Sequence, residues 1–134
     1  MDSYSVPRME IMEIPPGFPT IHHPEDNEFT PDRWNLGKTL FFDPILSEDA
    51  KVSCASCHEP SLAFSDLFAV SLGSEGVPGT RNAPSLANVA YHPYFTREGG
   101  IPTLEMQILV PIQEHNEFNN NIVVIADTLS KNSE

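Results

Sequence analysis

Apolar positions in this chain come in short groups, cut apart by proline and glycine before any long period can develop. Residues 1–28 contain Pro7, Pro15, Pro16, Pro19 and Pro24 and read as an extended, loop-like segment. A helix is expected in "FTPDRWNLGKTLFFD". Thr30 can cap it, Pro31 suits the first helical position, and Phe29 and Trp34 have the spacing of a hydrophobic staple. Leu36, Leu40 and Phe41 are its expected inner face, Trp34 is read as core, and Asp43-Pro44 ends it. A second helix starts near Thr103 in "GGIPTLEMQILVPIQ", with Leu104, Ile108 and Leu109 inward and Pro111 as its kink or stop. The polar stretch "QEHNEFNNN" then leads to a last helix, "IVVIADTLS", capped by one of Asn119 to Asn121. Ile122, Ile125 and Leu129 share a face of that helix and are expected in the core. Between the first two helices, "SLAFSDLFAVSLGSEGVPGTRNAPSLANVAYHPYF" reads as loop with one or two helical turns, such as "PSLANVAY". The pattern is mainly α, with short helices and long loops.

Length and charge narrow the function classes. The chain has 134 residues, enough for one domain. No apolar run reaches membrane-spanning length, and the N-terminus lacks the basic and apolar regions of a signal peptide. Nineteen acidic against seven basic residues give a formal net charge of −12, which disfavours nucleic acid as a partner. A basic protein partner would be steered by this charge, although simple solubility explains it equally well.

The chemistry concentrates in "CASCHEP", which holds both cysteines of the chain, Cys54 and Cys57, followed directly by His58. Three uses of this spacing compete. A structural zinc site wants four ligands, and the remaining histidines (His22, His23, His92, His115) form no second pair at finger spacing. A thioredoxin-like redox pair should follow a buried strand, which "LSEDAKVS" does not resemble. Covalent haem attachment uses the whole motif: two thioethers hold the porphyrin and the adjacent histidine reaches the iron. One helical turn does this, with Ser53 as its N-cap and Pro60 marking its end. A buried haem would also add apolar surface to a chain with 13 prolines and 7 glycines.

Five segments extend the motif into a family pattern. "LGKTLFFDPILS", "SCASCHEPSLAFSD", "RNAPSLANVAY", "GGIPTLEMQILVPI" and "NEF" resemble, in order and spacing, the N-terminal haem domain of bacterial di-haem cytochrome c peroxidases. The resemblance implies a cytochrome c-like fold over residues 29–134, here the peroxidatic haem domain. It implies haem c bound through Cys54 and Cys57, with His58 as proximal iron ligand. Gln107 matches a distal glutamine, Glu117 a distal acid, and Asn82 a residue that helps bind calcium between two haem domains. The implied reaction is reduction of hydrogen peroxide to water, with electrons from a small donor such as a cytochrome c or a cupredoxin. The implied location is periplasmic or otherwise exported. The chemistry needs a group like Glu117, because a proton must pass from one peroxide oxygen to the other before their bond breaks. Without the resemblance, Glu117 would read as a solvated surface carboxylate and Gln107 as a helix surface residue.

The sequence departs from the family pattern in three places. It reaches Glu134 without a second Cys-x-x-Cys-His, so the family's electron-accepting haem domain is expected to be absent. In "SLGSEG", Ser74 stands where many members carry a histidine that ligates the resting iron, so an open or water-occupied sixth position is expected. In "YFTREGG", Thr96 and Arg97 stand where a Phe-Trp pair is common; Arg97 could serve a haem propionate. Two other readings stay open. One is a single-haem electron carrier, whose sixth ligand could be Met106, His92 or His115. The other is a relative that uses oxidised haem to modify another protein.

Overall fold

A computed structural model describes residues 13–132. The expectation of an extended segment at 1–12, including Pro7, lies outside the described residues. Two compact units divide the chain, one up to Thr39 and one from Leu40 onward. From Glu13 to Thr30 the chain has no helix longer than the single 3-10 turn Glu25–Asn27. Five helical segments follow: α1 (Pro31–Phe42), α2 (Cys54–Cys57), α3 (Leu104–Gln107), α4 (Leu109–Gln113) and α5 (Ile122–Lys131). Among the described residues there is no strand. Three isolated antiparallel bridges, Glu59 with Ser65, Leu72 with Pro78 and Phe95 with Ile101, close loops instead. The architecture is α-helical, with short helices and long loops.

Helix α1 starts as its capping residues dictate. The Arg33 amide donates to Thr30 Oγ1 at 3.2 Å and the Trp34 amide to the Thr30 carbonyl at 3.0 Å. Its expected inner face is only partly realised. Leu40 packs against the core cluster, whereas Leu36 is 59% exposed. Trp34 is 39% exposed and not a core residue; the Lys38 ammonium lies 5.2 Å from the centre of its ring. Asp32, Arg33, Asn35 and Lys38 interrupt any apolar stripe along the first two turns, so only the last turn presents one. Asp43 ends the helix and its carboxylate accepts from the Ile45 amide at 2.9 Å.

The core is small. Leu46, Val52, Ile112, Phe118 and Ile125 are buried together, with Leu40, Ile45, Cys54 and Leu129 packed partly against them. Pro111 shapes the contribution of the third region. It has no amide hydrogen and its ring conflicts with the carbonyl four residues back, Gln107, so the helix breaks at Ile108 into α3 and α4. The break resets the buried face. Leu104, Ile108 and Leu109, expected inward, are exposed, and Ile112 is buried in their place. In α5, Asn121 is the cap, accepting from the Val123 amide at 2.8 Å. Ile125 and Leu129 reach the core as expected, but Ile122, in the first turn, is 39% exposed. Of "PSLANVAY" only Val89–Tyr91 forms a helical turn.

Candidate functional site

The site begins at α2, one helical turn that puts Cys54 and Cys57 on the same short segment. Ser53 caps it in extended conformation, and its amide donates to Ser56 Oγ at 3.0 Å. Both thiols are free. The turn stops at Cys57, and Pro60 opens a separate 3-10 turn, Pro60–Leu62. The chain then reverses sharply. Ala63 and Phe64 both adopt left-handed backbone, with φ of 54° and 58°. Such residues cost about 1–3 kcal/mol each and persist where the surroundings demand them. Here the reversal is held by the Phe64 amide on the Glu59 carbonyl and the Glu59 amide on the Ser65 carbonyl, both at 2.9 Å.

This reversal brings the Phe64 carbonyl to 2.8 Å from His58 Nδ1. A carbonyl only accepts, so Nδ1 is the donor, and in the neutral ring Nε2 is the nitrogen with the free lone pair. That is the tautomer a metal-ligating histidine needs, with its ring orientation fixed from behind. Burial pushes both thiols above their ordinary pKa. For Cys57 the negative charges of Asp66 and Glu117 add to the rise, against a hydrogen bond from Ser71 that lowers it.

Glu117 sits on a turn of its own. The Glu114 carbonyl accepts from the amides of Glu117 and Asn119, both at 3.0 Å. The Phe118 amide reaches the Pro111 carbonyl at 3.1 Å and the Asn120 amide the Ile112 carbonyl at 2.9 Å, which joins the turn to α4. The Phe118 ring, 5% exposed, anchors it in the core. Glu117 is an exposed residue, yet the protein atoms around its carboxylate push its pKa above the ordinary glutamate value, and the Glu114 charge raises it further. Gln107, on the last turn of α3, has a buried side-chain oxygen with no hydrogen-bond partner. A buried amide oxygen left unpaired is costly, and an arriving hydrogen-bond donor would satisfy it.

Ser74 does not face the site as a substitute ligand. It is 2% exposed, and its hydroxyl donates to the Phe118 carbonyl at 3.0 Å. The candidate sixth ligands of a carrier are engaged or exposed. His115 Nδ1 lies 3.1 Å from Asn119 Oδ1, His92 stacks on Phe95 with centroids 6.5 Å apart, and Met106 is 48% exposed. At Asn82 the side-chain oxygen accepts from the Arg97 guanidinium at 2.6 Å, beside an Arg81–Glu98 ion pair. Among the described residues no three His, Cys, Asp or Glu side chains converge as a metal-holding group. A haem fits the CASCH turn: two free thiols in one turn, an imidazole with its outer nitrogen available, and exposed Leu67, Phe68 and Leu72 in the loop that follows.

The roles of Phe64, Gly73, Ser74 and Arg97 in this geometry escape the sequence. The first acts through its main-chain oxygen, which no side-chain motif encodes. The others act through partners 15 to 44 residues away.

Comparison with known proteins gives a consistent picture. The family model for di-haem cytochrome c peroxidase matches residues 31–134. The methylamine utilization protein MauG of Methylorubrum extorquens is 39% identical over 110 residues, covering 82% of this chain and 31% of that protein. The cytochrome-c peroxidase IdrP2 of Denitromonas iodatirespirans is 44% identical over 87 residues, covering 65% of this chain and 24% of that protein. A crystal structure of a MauG-like protein associated with microbial copper homeostasis superposes with a TM-score of 0.81 at 32% identity, covering 90% of this chain and 36% of the other. The chain therefore spans about a third of the length of these relatives.

Proposed function

The chain belongs to the di-haem cytochrome c peroxidase family, and we propose that it forms the part of such a protein that reduces hydrogen peroxide to water with electrons from a small redox protein. The observation that carries this reading is the CASCH turn in a chain of this family: two free thiols in one helical turn and an imidazole whose Nδ1 is engaged by the Phe64 carbonyl. Haem c would be held by thioethers from Cys54 and Cys57, with His58 Nε2 available as a ligand to its iron. When bound, the haem supplies the iron-centred redox chemistry that cleaves the peroxide O–O bond. The protein's own residues do the rest. The Phe64 carbonyl keeps the His58 ring oriented. Glu117 takes a proton from one peroxide oxygen and returns it to the other, a task suited to a carboxyl group whose pKa lies closer to neutrality than usual. The unpaired Gln107 oxygen accepts a hydrogen bond from the peroxide or from its water.

A donor such as a cytochrome c or a cupredoxin fits this scheme, as does a periplasmic or otherwise exported location. No helix among the described residues is long and apolar enough to cross a membrane. Asn82 has a role that does not require calcium, through its bond to Arg97. A second reading is that the same acid and haem serve oxidation of another protein in place of peroxide removal.

Steady-state assay of the haem-loaded, full-length protein separates these readings. With peroxide and reduced cytochrome c or cupredoxin, sustained donor oxidation is expected. Peroxide consumption that no small donor sustains would favour oxidation of another protein. Reversible haem reduction with no reaction with peroxide would support a simple electron carrier.

A further inference from the structure

We infer that the Gly73–Ser74 corner is a positioning clamp for Glu117, an inference that rests on Glu117 being the proton-transferring acid. Four observations converge on it. The Ser74 amide donates to the Glu117 carbonyl at 2.7 Å. The Ser74 hydroxyl donates to the next carbonyl, Phe118, at 3.0 Å from a position 2% exposed. Gly73 packs so closely that an added Cβ would lie 2.3 Å from the Asn116 carbonyl oxygen and 2.6 Å from the Glu117 one. The far side of the corner is tied down as well: the Glu75 amide donates to Asp49 Oδ2 at 2.9 Å, and the Gly73 amide to the Val77 carbonyl at 2.8 Å.

The corner thus meets the acid's segment at three consecutive main-chain carbonyls, Asn116, Glu117 and Phe118. It sets where the side chain starts and leaves its end free to react. Ser74 and Gly73 are positioning residues in this scheme, and only a residue without a side chain fits at 73. The identity of residue 74 also follows: a short side chain with one donor reaches the Phe118 carbonyl within a fully packed corner, which a larger side chain would force apart.

Substitution of the corner in haem-loaded, full-length protein tests this. Gly73→Ala brings its Cβ closer than real contacts allow, so the backbone at Asn116 and Glu117 must shift by most of an ångström. Misplacement on that scale can cost up to about 100-fold in rate, so stopped-flow mixing with hydrogen peroxide should show the first step slowed by about 10- to 100-fold. The same substitution in a Glu117→Gln background should add less than about twofold, because the clamp acts through a group already removed. The pH profile of the rate should also move in Gly73→Ala, since the distance between Glu117 and Glu114 changes. Haem content and the Soret band should stay as in the parent. Ser74→Ala serves where Gly73→Ala does not fold; it leaves the Phe118 carbonyl its second donor, the Glu48 amide at 3.0 Å, and should slow the step several-fold with the same dependence on Glu117. Equal slowing in both backgrounds, or no slowing in either corner variant, overturns the clamp. A Glu117→Gln protein that reacts at the parent rate overturns the role of Glu117 itself, a separate result.

Discussion

The turn that carries Cys54, Cys57 and His58 and the turn that carries Glu117 are built in opposite ways. Most bonds that shape the first are local: Ser53 to Ser56, His58 to Cys54, Glu59 to Ser65, and His58 to Phe64 six residues on, with the Ser85 hydroxyl on the Ala63 carbonyl as a longer tie. The second depends on distant chain. Ser74 reaches Phe118 across 44 residues, the Asn119 side chain bonds to Glu48 across 71, and the Asn120 side-chain Nδ2 donates to the Leu46 carbonyl across 74 at 3.0 Å. A covalent attachment site has to present its cysteines and histidine in a fixed local geometry, and a short turn provides that alone. A distal acid has to be held relative to something elsewhere in the chain, and only tertiary contacts provide that.

Deleting the local turn's chemistry should give the largest effect. The Cys54→Ser, Cys57→Ser double variant should lose all covalent haem, read as absence of haem stain on a denaturing gel, while Ser74→Ala keeps the stain. Next is the anchor of the distant turn. Phe118→Ala removes a ring that is 5% exposed and should cost about 3–5 kcal/mol in urea unfolding. A cost below about 1 kcal/mol would mean that the Glu117 turn is not anchored through the core. Relief of local strain is smaller. Ala63→Gly removes a side chain from a left-handed position and should raise stability by about 1 kcal/mol. The smallest effect is electrostatic. The folded-state pKa of Glu117 lies above its unfolded value, so the folded form binds its proton more tightly and stability falls as pH rises through that range. Glu117→Gln should therefore melt at a higher temperature than the parent at neutral pH. The gain should vanish once the pH drops below the ordinary glutamate range, where both forms are neutral. A gain that persists at acid pH would assign it to packing.

The same division explains what the sequence revealed. Thr30, Ser53, Thr103 and Asn121 sit at helix starts because capping is a matter of a few neighbouring residues, and all four are readable as such. The Cys-x-x-Cys-His spacing is equally local. Inner faces were less legible. Leu36, Leu104, Ile108 and Leu109 fit a helical period but are exposed, because the Pro111 break and the polar first turns of α1 decide which residues reach the core. Ser74 was readable only as a missing ligand. Its bond to Phe118 emerges when two loops far apart in sequence are packed together. Arg97 and Asn82, 15 residues apart, meet by the same route.

The central claim is that Glu117, held in place by distant contacts, moves the proton that lets the peroxide bond break. Stopped-flow mixing of haem-loaded protein with hydrogen peroxide measures that step before any donor is needed. Glu117→Gln keeps the size of the side chain and removes its titratable group, and it should slow the step by about 10²- to 10⁴-fold. Glu114→Gln, which alters the neighbouring charge and leaves the acid in place, should stay within about tenfold of the parent on the same scale. Slowing by Glu114→Gln with no change in Glu117→Gln would contradict the account and move the acid three residues along "QEHNEF".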